Sequence, residues 1–351
     1  MYKVLACGSN GNYQLGIRND IDQNILQESQ FQIGQDSIVT SLPQKPIKIA
    51  CGGNHTLILF ENGDIYSTGE NQYGQCGLPK CGNIKLLTKI PGNWIDCCCG
   101  WEFSILIDDK REVYVCGNGL KGELGLGKEI RQSELCFSFA IPTDSNFEIK
   151  ASIHHVILRI DNILMGWGNC RKGQLGIIDE KKPSILWQPR ELNFPNIIIR
   201  KGTTKFTLGR EFTCISNEDR ISIFGKHSIE LDSDVSDVLE IGSMWSSLHI
   251  LLKNNTIRSF GNNSHGQLYP TVSDFKVDEM VIGSEHGLVN SSNTVYSWGW
   301  GEHGNCGIQQ QGQSNADEVT FNYLNPVYTD SSEVVLVAAG CATSWVVIKV
   351  E

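Results

Sequence analysis

An all-β fold, a seven-bladed β-propeller whose ring is closed by N- and C-terminal strands in one blade, is predicted by three observations on this 351-residue chain. A glycine framework recurs from one end to the other, an apolar strand-turn-strand unit precedes most copies of it, and the two series are offset by half a unit. Composition agrees, since 36 Gly against 10 Pro, with 40% hydrophobic and 19% charged residues, describes a turn-rich globular chain rather than a disordered one.

The framework is G-x-x-x-x-G-x-x-G. It reads "GENQYGQCG" from Gly69, "GNGLKGELG" from Gly117, "GNCRKGQLG" from Gly168 and "GWGEHGNCG" from Gly299. "GSNGNYQLG" from Gly8 has Tyr13 at the middle glycine, "GNNSHGQLY" from Gly261 loses the last one, and "GKHSIELD" from Gly225 is degraded. The glycines serve positive φ or close backbone packing. The residue before the last glycine (Leu15, Cys76, Leu124, Leu175, Leu268, Cys306) reads as a plug in the core between sheets.

The second element is a glycine, a short turn, an apolar strand, a polar turn and another apolar strand. It appears as "CGGNHTLILFENGDIYSTG", "CGWEFSILIDDKREVYVCG", "LGREFTCISNEDRISIFG", "IGSMWSSLHILLKNNTIRSFG" and "IGSEHGLVNSSNTVYSWG". "ASIHHVILRIDNILMGWG" carries Ser152 at the glycine position, and "AGCATSWVVIKV" has only its first strand. Seven copies of each element, offset, predict that "KVLACG" pairs with "SWVVIKV" inside one blade, which removes the open ends of the ring. Framework spacing runs from 36 residues (Gly225 to Gly261) to 61 (Gly8 to Gly69), and a four-stranded blade takes about 40–50. The excess is expected as loop insertions leaving the rim near residues 17–46 and 308–332. The fifth blade, after Gly225, is expected to have fewer or shorter strands. Residues 1–351 read as one domain.

Charge and motifs exclude several functions. A net charge of −10 and a pI near 5.3 oppose nonspecific affinity for nucleic acid or anionic membrane. Apolar runs fall far short of the roughly 18 residues of a spanning helix, and the first residues lack a signal-peptide pattern. The 13 cysteines, spread along a chain with no export signal, are expected as reduced, mostly buried thiols. The run Cys97-Cys98-Cys99 points alternately to two faces and is no chelate. "GWGEHG" matches G-x-G-x-x-G but leads into a turn rather than a helix, so it is no phosphate cradle. Neither a Ser-His-Asp arrangement nor H-E-x-x-H is present, so no catalytic residue, metal site or cofactor is expected. Within the repeat, Glu302 and His303 stand at a position that varies between blades, which frees them for recognition.

Together the two elements resemble the regulator of chromosome condensation repeat over the whole chain. That resemblance implies the family's seven-bladed propeller. The segments "CGGNHT", "CCGWEF", "GWGNCRKGQL", "IGSEHG", "SWGWGEHGNCG" and "GCATSWVVI" look like the family's fungal alpha-tubulin-suppressor, or killer-toxin-insensitivity, group. This implies a non-catalytic, cytoplasmic and nuclear protein that forms a heterodimer with a small CSL-type zinc/iron-binding protein of diphthamide synthesis. The pair would support Elongator-dependent modification of tRNA wobble uridines and diphthamide formation on elongation factor two. The contacts expected for such a partner are Trp101, Trp245, Trp298, Trp300 and Trp345, with His55, Glu285, His286, Glu302 and His303 as polar contacts; each tryptophan has blade packing as its alternative. Two other functions stand beside this: guanine-nucleotide exchange on a small Ran-like GTPase, and metal-dependent chemistry through His286, His303 and Cys341.

Overall fold

The computed structural model describes residues 1–177, 183–217, 220–232, 235–273, 275–310 and 318–351. Its strands form seven sheets. The innermost strands are Pro46–Cys51, Trp94–Cys99, Phe147–Ala151, Lys205–Leu208, Val238–Ser243, Glu279–Ile282 and Glu333–Ala339. Each contacts the next, and the last returns to the first, so the sheets are blades around a central channel. Tyr2–Gly8 pairs antiparallel with Thr343–Lys349 in the register Tyr2↔Lys349 to Gly8↔Thr343. That pairing closes blade 1, and the following blades are numbered in chain order. Among the described residues no helix is long and apolar enough to cross a membrane.

The first framework glycine shows why the repeat is legible. Gly8, Gly69, Gly117, Gly168, Gly225, Gly261 and Gly299 all lie at φ between +97° and +114°. A Cβ there would come within 2.2–2.6 Å of the carbonyl oxygen of Ala342, Asn54, Glu102, His154, Glu211, Ser246 or Glu285 respectively. The next residue's N–H donates to that same carbonyl in every blade, at 2.7–3.2 Å. One backbone bond per blade thus requires a left-handed residue with no side chain.

A second rule governs the turn after each inner strand. Its first N–H donates to the carbonyl three residues on, from Gly52 to His55, Gly100 to Phe103, Ser152 to His155, Gly209 to Phe212, Met244 to Ser247, Gly283 to His286 and Gly340 to Thr343. A Cβ on Gly52, Gly100 or Gly209 would strike the His55, Phe103 or Phe212 ring at 2.0–2.1 Å. In those blades glycine is present because an aromatic ring lies on it; blade 4 carries Ser152 instead, and Gly340 lies against Thr343 and Cys51. In blade 6 the bulk is exchanged: Met244, fully buried, takes the glycine's place and Ser247 the ring's place.

Apolar residues of adjacent blades merge into clusters around the ring. The plugs Leu15, Leu124 and Leu175 are buried within them, Cys76 and Cys306 are also buried, and Leu268 remains partly exposed. Cys97 and Cys99 join the cluster between blades 2 and 3, and Cys98 joins the one beyond, as alternation requires. All 13 cysteines are free thiols, and only Cys81 is exposed.

Two expectations are corrected. Residues 17–46 are not simply a rim loop: Gln23–Glu28 is the outer strand of blade 1, and the hairpin Phe31–Ile33 with Ser37–Val39 extends blade 2. Phe31, edge-on to Phe60 and Tyr66 at 5.8 and 5.3 Å, and half-buried Val39 anchor that hairpin to the core. Within 308–332, Thr320–Tyr328 is the outer strand of blade 7, and residues 311–317 lie outside the described residues. Among the described residues the fifth blade has three strands, and so has the sixth.

Candidate functional site on the axial face

The turns after the inner strands gather around one mouth of the channel. The residue following each glycine position, being free of the packing rule, varies from blade to blade: Gly53, Trp101, Ile153, Arg210, Trp245, Ser284 and Cys341. Backbone bonds tie these turns blade to blade, Gly53 N–H to Trp101 O at 2.8 Å, Trp101 N–H to Ile153 O at 3.3 Å, Arg210 N–H to Trp245 O at 3.2 Å and Trp245 N–H to Ser284 O at 2.8 Å. The mouth is therefore a stiff platform.

Trp101 of blade 3 and Trp245 of blade 6 reach toward each other across the ring, their centroids 5.9 Å apart at 54°. The Trp101 indole lies against Gly53, where a Cβ would come within 2.9 Å of the ring. Both tryptophans remain partly exposed. They line a cavity of about 190 Å³ shared with Cys51, Cys99 and Cys341. Burial pushes the Cys51 and Cys341 thiols up to about 11, so neither is a thiolate at neutral pH.

From Trp245 a polar band runs outward. Ser246 Oγ donates to Glu285 at 3.2 Å, and Gln267 Nε2 donates to Glu285 Oε2 at 3.2 Å. Burial raises the Glu285 carboxyl above its usual range, against the lowering effect of these two bonds. The His265 N–H donates to Gln267 Oε1, and the His265 ring stacks on Trp300 at 4.6 Å and 13°. Beyond it, His303 Nδ1 lies 2.7 Å from Asp22 Oδ2, and Glu302 is exposed.

Trp101, Trp245, Glu285 and Trp300 are thus brought together on one face, with Glu302 and His303 at its edge. Four other nominated residues are placed elsewhere, which corrects the expectation for them. Trp298 is fully buried between blades and donates Nε1–H to Gln267 O at 2.9 Å, the role Trp167 plays with Glu123 O at 2.8 Å. Trp345 is likewise buried in blade 1 and donates to Thr343 Oγ1. His55 and His286 are the rings lying on their turn glycines, bonded to Ser104 at 2.8 Å and Ser344 at 3.0 Å. His286, His303 and Cys341 do not converge, and among the described residues no group of three or more His, Cys, Asp or Glu is placed to hold a metal ion.

Sequence reasoning missed Arg210, Ser246, His265 and Gln267 on this face. Arg210 was accessible through the variability argument that picked out Glu302 and His303, because it too varies between otherwise fixed neighbours.

The model of the regulator of chromosome condensation repeat matches residues 3–59, 62–107 and 292–347, and a second model of the same repeat matches 47–75. In these segments the chain is similar to regulator of chromosome condensation repeats. This repeat protein is 28% identical to an RCC1 repeat-containing protein of Schizosaccharomyces pombe over 99% of both chains. A shorter likeness, 49% identity over 41 residues, links 12% of the chain to 4% of the human X-linked retinitis pigmentosa GTPase regulator. Among solved structures, Prp20p of Saccharomyces cerevisiae aligns over 100% of this chain and 92% of its own with a TM-score of 0.78 at 17% identity. Human WBSCR16 aligns over 99% of both with a TM-score of 0.52 at 16% identity. At these identities the two structures speak for the fold alone.

Proposed function

We propose that this repeat protein is a non-catalytic scaffold whose axial face docks a small CSL-type metal-binding protein. Through that heterodimer it supports Elongator-dependent wobble-uridine modification and diphthamide synthesis. The observation that carries the docking reading is the Trp101–Trp245 pair: two large aromatic side chains left partly exposed on a stiff mouth. Aromatic anchors on a preorganised surface bind with little ordering cost. The choice of partner rests on the sequence resemblance to the fungal alpha-tubulin-suppressor group.

The test mixes this protein with the purified CSL-type protein at micromolar concentration. A one-to-one complex is expected on size-exclusion chromatography, weakened at least about 100-fold by Trp101→Ala with Trp300→Ala. Separate elution of the wild-type proteins overturns the partner, and an unaffected double variant overturns the face. A second reading, nucleotide exchange on a small Ran-like GTPase, draws on the fold likeness to Prp20p, which is described with binding properties to Gsp1p and histones. Strong acceleration of nucleotide release in stopped flow would place that reading first.

A further inference from the structure

The degraded glycine element of blade 5 borders a cleft between blades 5 and 6. In five elements the side chain of a Gln or Glu holds an arch: Gln14, Gln75, Glu123, Gln174 and Gln267 each accept the backbone N–H two residues earlier, at 2.6–2.9 Å. The same position packs against the next blade's framework glycine, as Gln75 does at Gly117 and Gln174 at Gly225. After Gly225 the chain reads Lys226-His227-Ser228-Ile229, and Ile229 takes that place against Gly261. It arrives four residues after Gly225, whereas Gln75 arrives six after Gly69. The arch is two residues shorter than its neighbours.

Where it contracts, a cleft of about 270 Å³ opens between blades 5 and 6, lined by Arg210, Glu211, Phe212, Lys226, His227 and Trp245 among others. Phe212 is the apolar floor, with the His227 ring edge-on at 6.3 Å, and the Trp245 indole flanks it from the axial side. Arg210, Lys226 and His227 are all exposed. Ile229 N–H donates to His227 Nδ1 at 3.3 Å, so neutral His227 carries its proton on Nε2 and that nitrogen is a donor in either charge state. Among the described residues Glu211 is the one acid of the lining, 3.9 Å from Lys226 Nζ, and Glu285, outside the lining, interacts electrostatically with Arg210. A chain of net charge −10 therefore gathers three basic side chains around one small aromatic-floored opening.

We propose that this cleft is a carboxylate pocket of the docking face, taking an acidic side chain and an adjacent apolar residue from the docked protein. Guanidinium, ammonium and imidazole N–H groups all seek acceptors, and a carboxylate accepts several such charge-assisted bonds at once. Phe212 and Trp245 offer the apolar neighbour its contact surface. The inference rests on the reading of the axial face as a protein-docking face, and Trp245 borders both. It adds that the partner is recognised by a negative, partly apolar segment, which also speeds encounter at low salt.

Fluorescence anisotropy on the full chain tests it, with fluorescein-labelled Asp-Leu-Asp-Leu as the probe and Asn-Leu-Asn-Leu as its neutral counterpart. Saturable binding of the acidic probe alone is expected, weakened at least about tenfold by Arg210→Gln with Lys226→Gln and unchanged by Lys172→Gln in blade 4. Near-UV circular dichroism of the variants confirms the fold. No saturation up to millimolar protein, equal binding of the neutral peptide, or an unmoved double variant overturns the proposal. A phosphoserine peptide binding more than about tenfold tighter than the acidic probe also overturns it and makes the site a phosphate reader. Trp101→Ala with Trp300→Ala leaves probe binding intact, so failure of the CSL-type complex and failure of this pocket are separable.

Discussion

Acid should unfold this propeller through its buried histidines before its carboxylates matter. His55, His155, His249 and His286 are almost fully buried. Burial holds the first three down to about 3 and His286 down to about 4. A free histidine titrates near 6.5, so between these values the unfolded chain binds protons that the folded chain refuses. Stability is then full above about pH 7 and is lost as pH falls through 6.5. From pH 7.0 to 5.5 each such histidine costs about 1.2 kcal/mol, and the four together about 5 kcal/mol. Burial raises the carboxyls of Glu240, Glu279 and Glu285, which act in the opposite sense at lower pH, so the comparison stops at 5.5. Urea unfolding at constant ionic strength gives the loss. A triple variant, His55→Phe, His155→Phe and His286→Phe, is the control, because Phe103 and Phe212 occupy the same place in other blades. It should retain about a quarter of the pH dependence. A wild-type loss under about 1 kcal/mol, or an equal loss in the triple variant, refutes the reasoning.

Other outcomes follow from the same packing rules. Gly117→Ala should cost more than about 3 kcal/mol, since its Cβ meets Glu102 O at 2.2 Å, whereas Gly173→Ala, also at positive φ but with nothing nearby, should cost about 1–2 kcal/mol in thermal unfolding. Trp298→Ala should destabilise by about 3–5 kcal/mol, and any weakening of partner binding should disappear once the unfolded fraction is subtracted. Tyr13, at φ +66° where other blades use glycine, should give a protein stabler by up to about 1 kcal/mol on Tyr13→Gly, the relief of strain exceeding the lost contact with Lys85.

The ring was legible because its rules are backbone rules. A carbonyl 2.2–2.6 Å from a would-be Cβ leaves one residue type, so Gly8 through Gly299 mark every blade even where other positions have eroded. The outer strands carried no such mark. Gln23–Glu28 is largely exposed and holds its place through backbone pairing with Tyr2–Gly8, which a polar sequence permits without announcing. On the face, the repeat alignment could have divided the tryptophans. Trp298 precedes a framework glycine, as Trp167, Phe224 and Phe260 do, which marks a packing position. Trp101 and Trp245 fall where the blades differ. His55 and His286 looked like polar contacts because histidine usually is one; the glycine three residues before each, shared with the Phe103 and Phe212 turns, was the signal that they fill space instead.

The seam at Tyr2–Gly8 also bears on synthesis. Its partner, Thr343–Lys349, is synthesised after the six intervening blades, so this strand waits longest for its mate. Until then the nascent polypeptide presents an unmated hydrogen-bonding edge beside apolar Val4 and Ala6, the condition under which molecules exchange strands or clump.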